Sequence, residues 1–133
     1  MIELVEQLRR VKDEAEIAIL AEAARITDCA WANTIKLLKP KAKETDLALE
    51  FDYQLRINGA EGSAFSTIVA SGARSALPHG TATAREILPG DLVVIDGGAL
   101  YQGYHADMTR TVVLGKATPE QVKIYDIVLT AQI

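Results

Sequence analysis

The stretch IDGGALYQGYHADMTRT, Ile95 to Thr111, decides the architecture of this chain. It runs apolar through Leu92, Val93, Val94 and Ile95, breaks at Tyr101-Gln102-Gly103, and resumes a strand-like pattern from Met108 to Leu114, so it predicts an antiparallel hairpin. Asp96 and Asp107 sit on its two arms. Their numbers average to the point between Tyr101 and Gln102, and a turn centred there sets the two carboxylates directly opposite each other. Two acids in that position repel unless a proton, a basic partner or a cation intervenes. Strand alternation adds Val94 and Gly98 to the Asp96 face, and Thr109 and Thr111 to the Asp107 face. Small and hydroxyl side chains thus leave room for a hard cation with oxygen ligands, such as manganese. A plainer alternative is that one aspartate serves the turn while the other pairs with Arg110 or Arg85.

Upstream of the hairpin the pattern is helical. From Lys12 to Leu38, the residues Ile17, Leu20, Ala24, Trp31, Ile35 and Leu38 recur at steps of three, four or seven, and Pro40 ends the run. A second helix is predicted from Thr45 as N-cap, through Leu47, Phe51 and Leu55, to the Asn58-Gly59 stop. Phe65 to Ala70 is β-rich, and Ser71 to Arg85 reads as a loop punctuated by Gly72, Pro78 and Gly80. Pro89-Gly90-Asp91 is a turn that launches the first arm of the hairpin. Thr118-Pro119-Glu120-Gln121 opens a last helix through Val122, Tyr125 and Leu129. The resulting class is α+β: two packed helices, an antiparallel sheet and a C-terminal helix whose partners are missing.

Bulk properties narrow the function. With 133 residues, 49% hydrophobic, the chain suits one domain. Charged residues make up 24% and the net charge is -4, with no basic stripe, which argues against nucleic acid as a partner. The apolar run from Asp91 to Leu100 is too short to cross a bilayer, and MIELVEQLRR lacks the apolar core of a signal peptide, so the expected location is cytoplasmic and no membrane partner is expected. The single cysteine, Cys29, falls in the first helical pattern and is expected to be a buried thiol.

The segment from Ile95 to Thr111 resembles the first metal-ligand motif of the creatinase and aminopeptidase P family of metallopeptidases, which has a pita-bread fold. Asp96 and Asp107 match its first two ligands in identity and spacing. SALPHG, Ser75 to Gly80, resembles the loop that carries the family's active-site histidine, here His79, seventeen residues before Asp96. LRRVKDEAEIAIL, Leu8 to Leu20, resembles the opening of its catalytic domain. Three motifs in the right order cover essentially the whole chain.

The resemblance implies an Xaa-Pro aminopeptidase or Xaa-Pro dipeptidase acting on proline-containing peptides, with two divalent ions, manganese, cobalt or zinc, that activate a water for attack on the scissile carbonyl. Asp96 would bind one ion and Asp107 bridge both, His79 would donate a hydrogen bond to the substrate or intermediate, and Thr109 is the candidate second-layer donor to Asp107. His105 is a neighbour that the family motif does not require, Arg110 is assigned to the opposite face, and Tyr104 to the core. One histidine and two glutamates of the family's metal set lie in a second half of the fold. Residues 1–133 are therefore expected to be a partial catalytic domain that binds metal weakly, is inactive alone, and self-associates through uncovered apolar surface as a homo-oligomer. A methionine aminopeptidase-like enzyme and a non-catalytic binding module of the same fold are the alternatives.

Overall fold

The computed structural model describes residues 4–133, so the first three residues of MIELVEQLRR and of the expected 1–133 domain lie outside the described residues. A short exposed helix, α1 (Leu4–Arg10), precedes the long α2 (Glu14–Thr34). Asp13 starts α2 through a reciprocal pair of bonds. Its Oδ1 accepts from the Glu16 amide at 2.9 Å, and the Glu16 carboxylate accepts from the Asp13 amide at 2.9 Å.

The buried face of α2 differs from the expected stripe. Ala23, Ile26, Thr27, Ala30 and Thr34 are buried, whereas Ile17 is 55% exposed and Ala24 lies outside the core. Small residues and threonines let the helix approach its neighbours closely. Thr27 and Thr34 satisfy their hydroxyls on the carbonyls of Ala23 and Ala30, both at 2.8 Å, so these polar residues can be buried without loss. Cys29 is half-buried rather than buried, with a guanidinium N–H of Arg25 3.5 Å from its sulfur.

α3 (Glu44–Ile57) begins one residue before the predicted cap. Lys43 is the N-cap and its amide bonds the Asp46 carboxylate at 3.1 Å. Leu47, Phe51 and Leu55 are fully buried against α2, and Gly59, at φ +107°, ends the segment as the sequence predicts.

The strands form two antiparallel sheets instead of one. β2 (Ile68–Ser71), β3 (Leu92–Gly97) and β6 (Met108–Val113) make the larger, with β3 central; β1 (Gly62–Ser63), β4 (Ala99–Tyr101) and β5 (Tyr104–His105) make the smaller. Of the β-rich run predicted from Phe65 to Ala70, Phe65 to Thr67 lie outside the strand, which starts only at Ile68. One hairpin runs through both sheets. Its turn is Gln102-Gly103, with φ of +46° and +77°, the two left-handed residues that a tight hairpin needs to match strand twist.

Val93 and Ile95 on the inner face of β3 join Ile26, Phe51, Val69 and Ile87 in the core. Gly97 is required by this packing, because a Cβ there would lie 2.6 Å from the Phe51 ring. The outer face carries Leu92 and Val94, half-buried. α4 (Pro119–Gln132) starts at Thr118 as predicted, and its Gln121 side chain donates to the Gly90 carbonyl at 2.8 Å. No residue of α4 is buried. Its Ile124, Tyr125, Val128 and Leu129 border, with Leu92 and Val94, an open groove of about 780 Å³.

Candidate metal centre

The ladder places Asp96 opposite Thr109, not opposite Asp107. Leu100 pairs with His105 and Tyr101 with Tyr104 in the same register, so the hairpin centre lies between Gln102 and Gly103, one residue beyond the symmetric reading. That shift moves every cross-strand partner by two. Thr109 consequently donates its hydroxyl to Asp96 Oδ1 at 2.7 Å, where the sequence reading had assigned it to Asp107. Thr109 orients the first aspartate.

Asp107 falls where the two sheets part. Extending the register beyond Gly97 and Met108 brings Gly98 opposite it. The Gly98 carbonyl instead accepts from the Ala64 amide at 2.8 Å, and the next amide, that of Ala99, donates to Thr27 Oγ1 of α2 at 3.0 Å. β-pairing is thus interrupted beside Asp107. The two arms nevertheless touch, since a Cβ on Gly98 would stand 1.8 Å from the Ala106 carbonyl oxygen. Only glycine permits that approach. Alternation from Thr109 keeps Asp107 on the face of Asp96, one diagonal step along the hairpin.

His79 lies in the loop after β2, exposed. Thr81, two residues on, bridges to Ile68, whose other neighbour is Asp96. Thr81, Ile68, Asp96 and Thr109 therefore form one row across the sheet, and cross-strand partners share a face. The return arm of the His79 loop is carried to the end of the sheet where both aspartates stand.

Sequence reasoning missed what holds that loop. Glu44, the first residue of α3, is fully buried, and its carboxylate receives Ser71, Arg74 and Thr83 from the loop. Burial pushes this carboxyl up, but the Thr83 and Ser71 donors outweigh it and hold the group below the ordinary glutamate value. An acid in the first turn of a helix is ordinary, so nothing in Lys43-Glu44-Thr45 signals burial. Gly98 was likewise read only as a small neighbour of Asp96.

The plainer ionic reading of the aspartates fails. Among the described residues the ion pairs are Arg25–Glu22, Arg74–Glu44 and Arg85–Asp91. Arg110 donates instead to the Thr109 carbonyl at 2.9 Å, and its pairing with Ile95 gives it the face opposite Asp96, as expected. His105 is exposed with Nδ1 2.9 Å from the Ala64 carbonyl, and Tyr104, half-buried rather than core, donates to Glu16 at 2.6 Å. Asp96 and Asp107 are left as hard oxygen donors on one face with no basic partner among the described residues, a donor type that suits part of the coordination shell of a hard divalent ion. Among the described residues, no group of three or more His, Cys, Asp or Glu could hold a metal ion.

The fold is α+β, with two aspartates on one hairpin face and a histidine loop beside them. The profile of metallopeptidase family M24 matches residues 18–133, and the chain belongs to that family. It is 48% identical over 130 residues to an Xaa-Pro dipeptidase of Pyrococcus horikoshii, covering 98% of this chain and 37% of that protein. The solved prolidase from Pyrococcus horikoshii superposes with a TM-score of 0.96 at 47% identity, over 99% of this chain and 38% of the other. The X-Pro aminopeptidase of Thermotoga maritima superposes at 0.95 with 44% identity, over 99% and 38%. The pita-bread architecture expected from the motifs is the fold of these relatives. The chain spans about 37% of the length of the first curated relatives it matches.

Proposed function

We propose that residues 1–133 form the N-terminal half of an Xaa-Pro peptidase catalytic domain, in a cytoplasmic, homo-oligomeric enzyme that hydrolyses the bond between an N-terminal residue and proline. The observation that carries this reading is the pair Asp96 and Asp107 on one hairpin face, with Thr109 already oriented on Asp96. Two divalent ions, manganese in the first instance, would supply Lewis acidity and an activated water when bound. Asp96 and Asp107 hold them from this half. Thr109 fixes the Asp96 carboxylate so that one oxygen faces the site, and His79 donates a hydrogen bond to the substrate carbonyl or to the charge that develops on it. The names of the relatives, Xaa-Pro dipeptidase and X-Pro aminopeptidase, support proline-containing peptides as substrates. Apolar residues exposed on α4, including Ile127 and Val128, support association with further protein surface.

The test has two arms. Manganese titration of the 133-residue chain, followed by the electron paramagnetic resonance of the free ion, is expected to show weak binding that Asp107→Asn and Asp96→Asn each reduce. In the complete enzyme carrying this segment, Asp107→Asn is expected to abolish release of the N-terminal residue from Ala-Pro. Binding indifferent to both substitutions would remove the metal role, and equal cleavage of Ala-Gly and Ala-Pro would remove the proline specificity.

A further inference from the structure

The loop from Ser71 to Arg85 carries His79 yet has little ladder of its own, with the single bridge between Thr81 and Ile68 and the bridge of Glu86 to Lys43 at its exit. Short turns shape its interior: a 3-10 turn over Gly72–Ala76, the Leu77 amide on the Arg74 carbonyl at 2.9 Å, and the Gly80 amide on the Leu77 carbonyl at 3.2 Å. Apart from the exit bridge of Glu86 to Lys43, none of these contacts ties the loop to the helical layer. Glu44 does. Its Oε1 accepts from the amide and the hydroxyl of Ser71, both at 2.8 Å, and its Oε2 accepts from the Thr83 hydroxyl at 2.7 Å, the Thr83 amide at 3.0 Å and Arg74 Nε at 3.3 Å. Ser71 begins the loop, Arg74 lies in its 3-10 turn and Thr83 is on its return arm. Arg74 reaches on with Nη2 to the Thr81 carbonyl at 2.7 Å, which closes a ring around the segment bearing His79.

From this convergence we infer that Glu44 is the positioning residue for His79: one buried carboxylate at the start of α3 joins the outgoing arm, the turn and the return arm of the loop, and so sets where the imidazole stands relative to Asp96. The role given to His79 rests on the reading proposed above, whereas the anchoring of its loop does not. Chemistry explains the choice of glutamate. All five partners are donors, and a carboxylate accepts on both sides. Glutamine has the same volume but turns an NH2 group against one set of donors, and no other side chain of that size offers two acceptor oxygens. The α3 backbone reinforces the clamp, since the Glu44 and Thr45 amides donate to the Arg85 and Thr83 carbonyls at 3.1 Å each.

The experiment compares amide hydrogen exchange and backbone relaxation in the 15N-labelled chain with those of Glu44→Gln at pH 7. Protection of the amides from Gly72 to Thr83 is expected to fall at least tenfold more than that of Val93 and Ile95 in the central strand, and the His79 amide to broaden through exchange. His105, held on Ala64 away from the clamp, serves as the control and keeps its resonances. In the complete enzyme the same variant is expected to lose tenfold or more in kcat with its metal content unchanged. Should Glu44→Gln fail to fold, Thr83→Val, which removes one donor and keeps the carboxylate, makes the same comparison with a smaller effect. Loop and β3 amides losing protection equally would overturn the inference, reducing Glu44 to a general stabiliser. A complete enzyme without proline-directed activity would sink the peptidase reading while the exchange data still decide the anchoring.

Discussion

Thr109 donates its hydroxyl to Asp96 across the β3–β6 ladder at 2.7 Å, and the two residues are register partners. The bond occupies one carboxylate oxygen from a fixed direction, and under the proposed metal role the other oxygen would be the one offered to a cation. Outer-shell donors of this kind typically contribute a factor of 10 to 100 in metal affinity. Thr109→Val keeps the β-branched shape and is expected to weaken manganese binding roughly tenfold, with the urea unfolding midpoint nearly unchanged. Thr109→Ser should restore most of the binding. Equal affinity of the Val and Thr proteins would show that the hydroxyl does not orient the ligand.

Gly98 marks the point at which the hairpin passes from one sheet to the other. A methyl group there would stand 1.8 Å from the Ala106 carbonyl oxygen, a contact relieved only by moving backbone beside Asp107. Gly98→Ala is expected to cost about 3 kcal/mol or more, the upper end of overpacking penalties, and to weaken metal binding along with stability. Denaturant titration reads the first effect and manganese titration the second. Gly90→Ala is a poor control because its φ is +90°, so Ala106→Gly, which leaves Gly98 untouched, is the better comparison.

Phe51 and Gly97 form a second dependent pair. The ring occupies the space that a Gly97 side chain would take, with Cε1 2.6 Å from an ideal Cβ. Phe51→Ala should cost about 3–5 kcal/mol through the cavity it leaves, and Gly97→Ala about 1–3 kcal/mol through overpacking. Combined, the two are expected to cost less than their sum, with a coupling on the order of 1 kcal/mol in a double-mutant cycle. Strict additivity would mean that the ring does not set the need for glycine at 97.

Acid should unfold this chain through its buried anchors. Burial raises the Glu44 and Asp91 carboxyls, but hydrogen bonds from Thr83 and Ser71 in one case, and from Arg85 and the Leu88 amide in the other, bring both below their ordinary values. A folded-state value below the unfolded one stabilises above the unfolded value, and the benefit disappears as pH falls through the folded value. Stability is therefore expected to stay level from neutrality down to about pH 5 and to drop below the ordinary glutamate value of 4.5. Glu44→Gln should be less stable at pH 7 and show a shallower acid loss, measured as urea midpoints across that range. An acid limb unaltered by the substitution would place the titrating groups elsewhere.

Much of the local order was legible in the residues. Thr118-Pro119 with Gln121, the Leu47-Phe51-Leu55 stripe and the Asn58-Gly59 stop act within one or two turns of chain, where neighbouring residues alone decide the outcome. The α2 face was not legible to a stripe of large apolar residues, because the helix is buried through alanines and threonines whose hydroxyls bond its own carbonyls. Small polar residues look exposed until a partner helix arrives.

By itself, the sequence determined the α+β class and the hairpin, since these follow from period and turn chemistry, while the grouping of Asp96, Asp107 and His79 into one site is what the family resemblance implies. Tertiary structure decided the register of that hairpin and the clamp on the His79 loop. Register turns on which two residues take the left-handed turn, and a shift of the centre by one residue exchanges Asp107 for Thr109 as the partner of Asp96. The clamp joins Glu44 to groups 27, 30 and 39 residues away, contacts that no local pattern encodes because only the packing of α3 on the sheet brings the donors to one carboxylate.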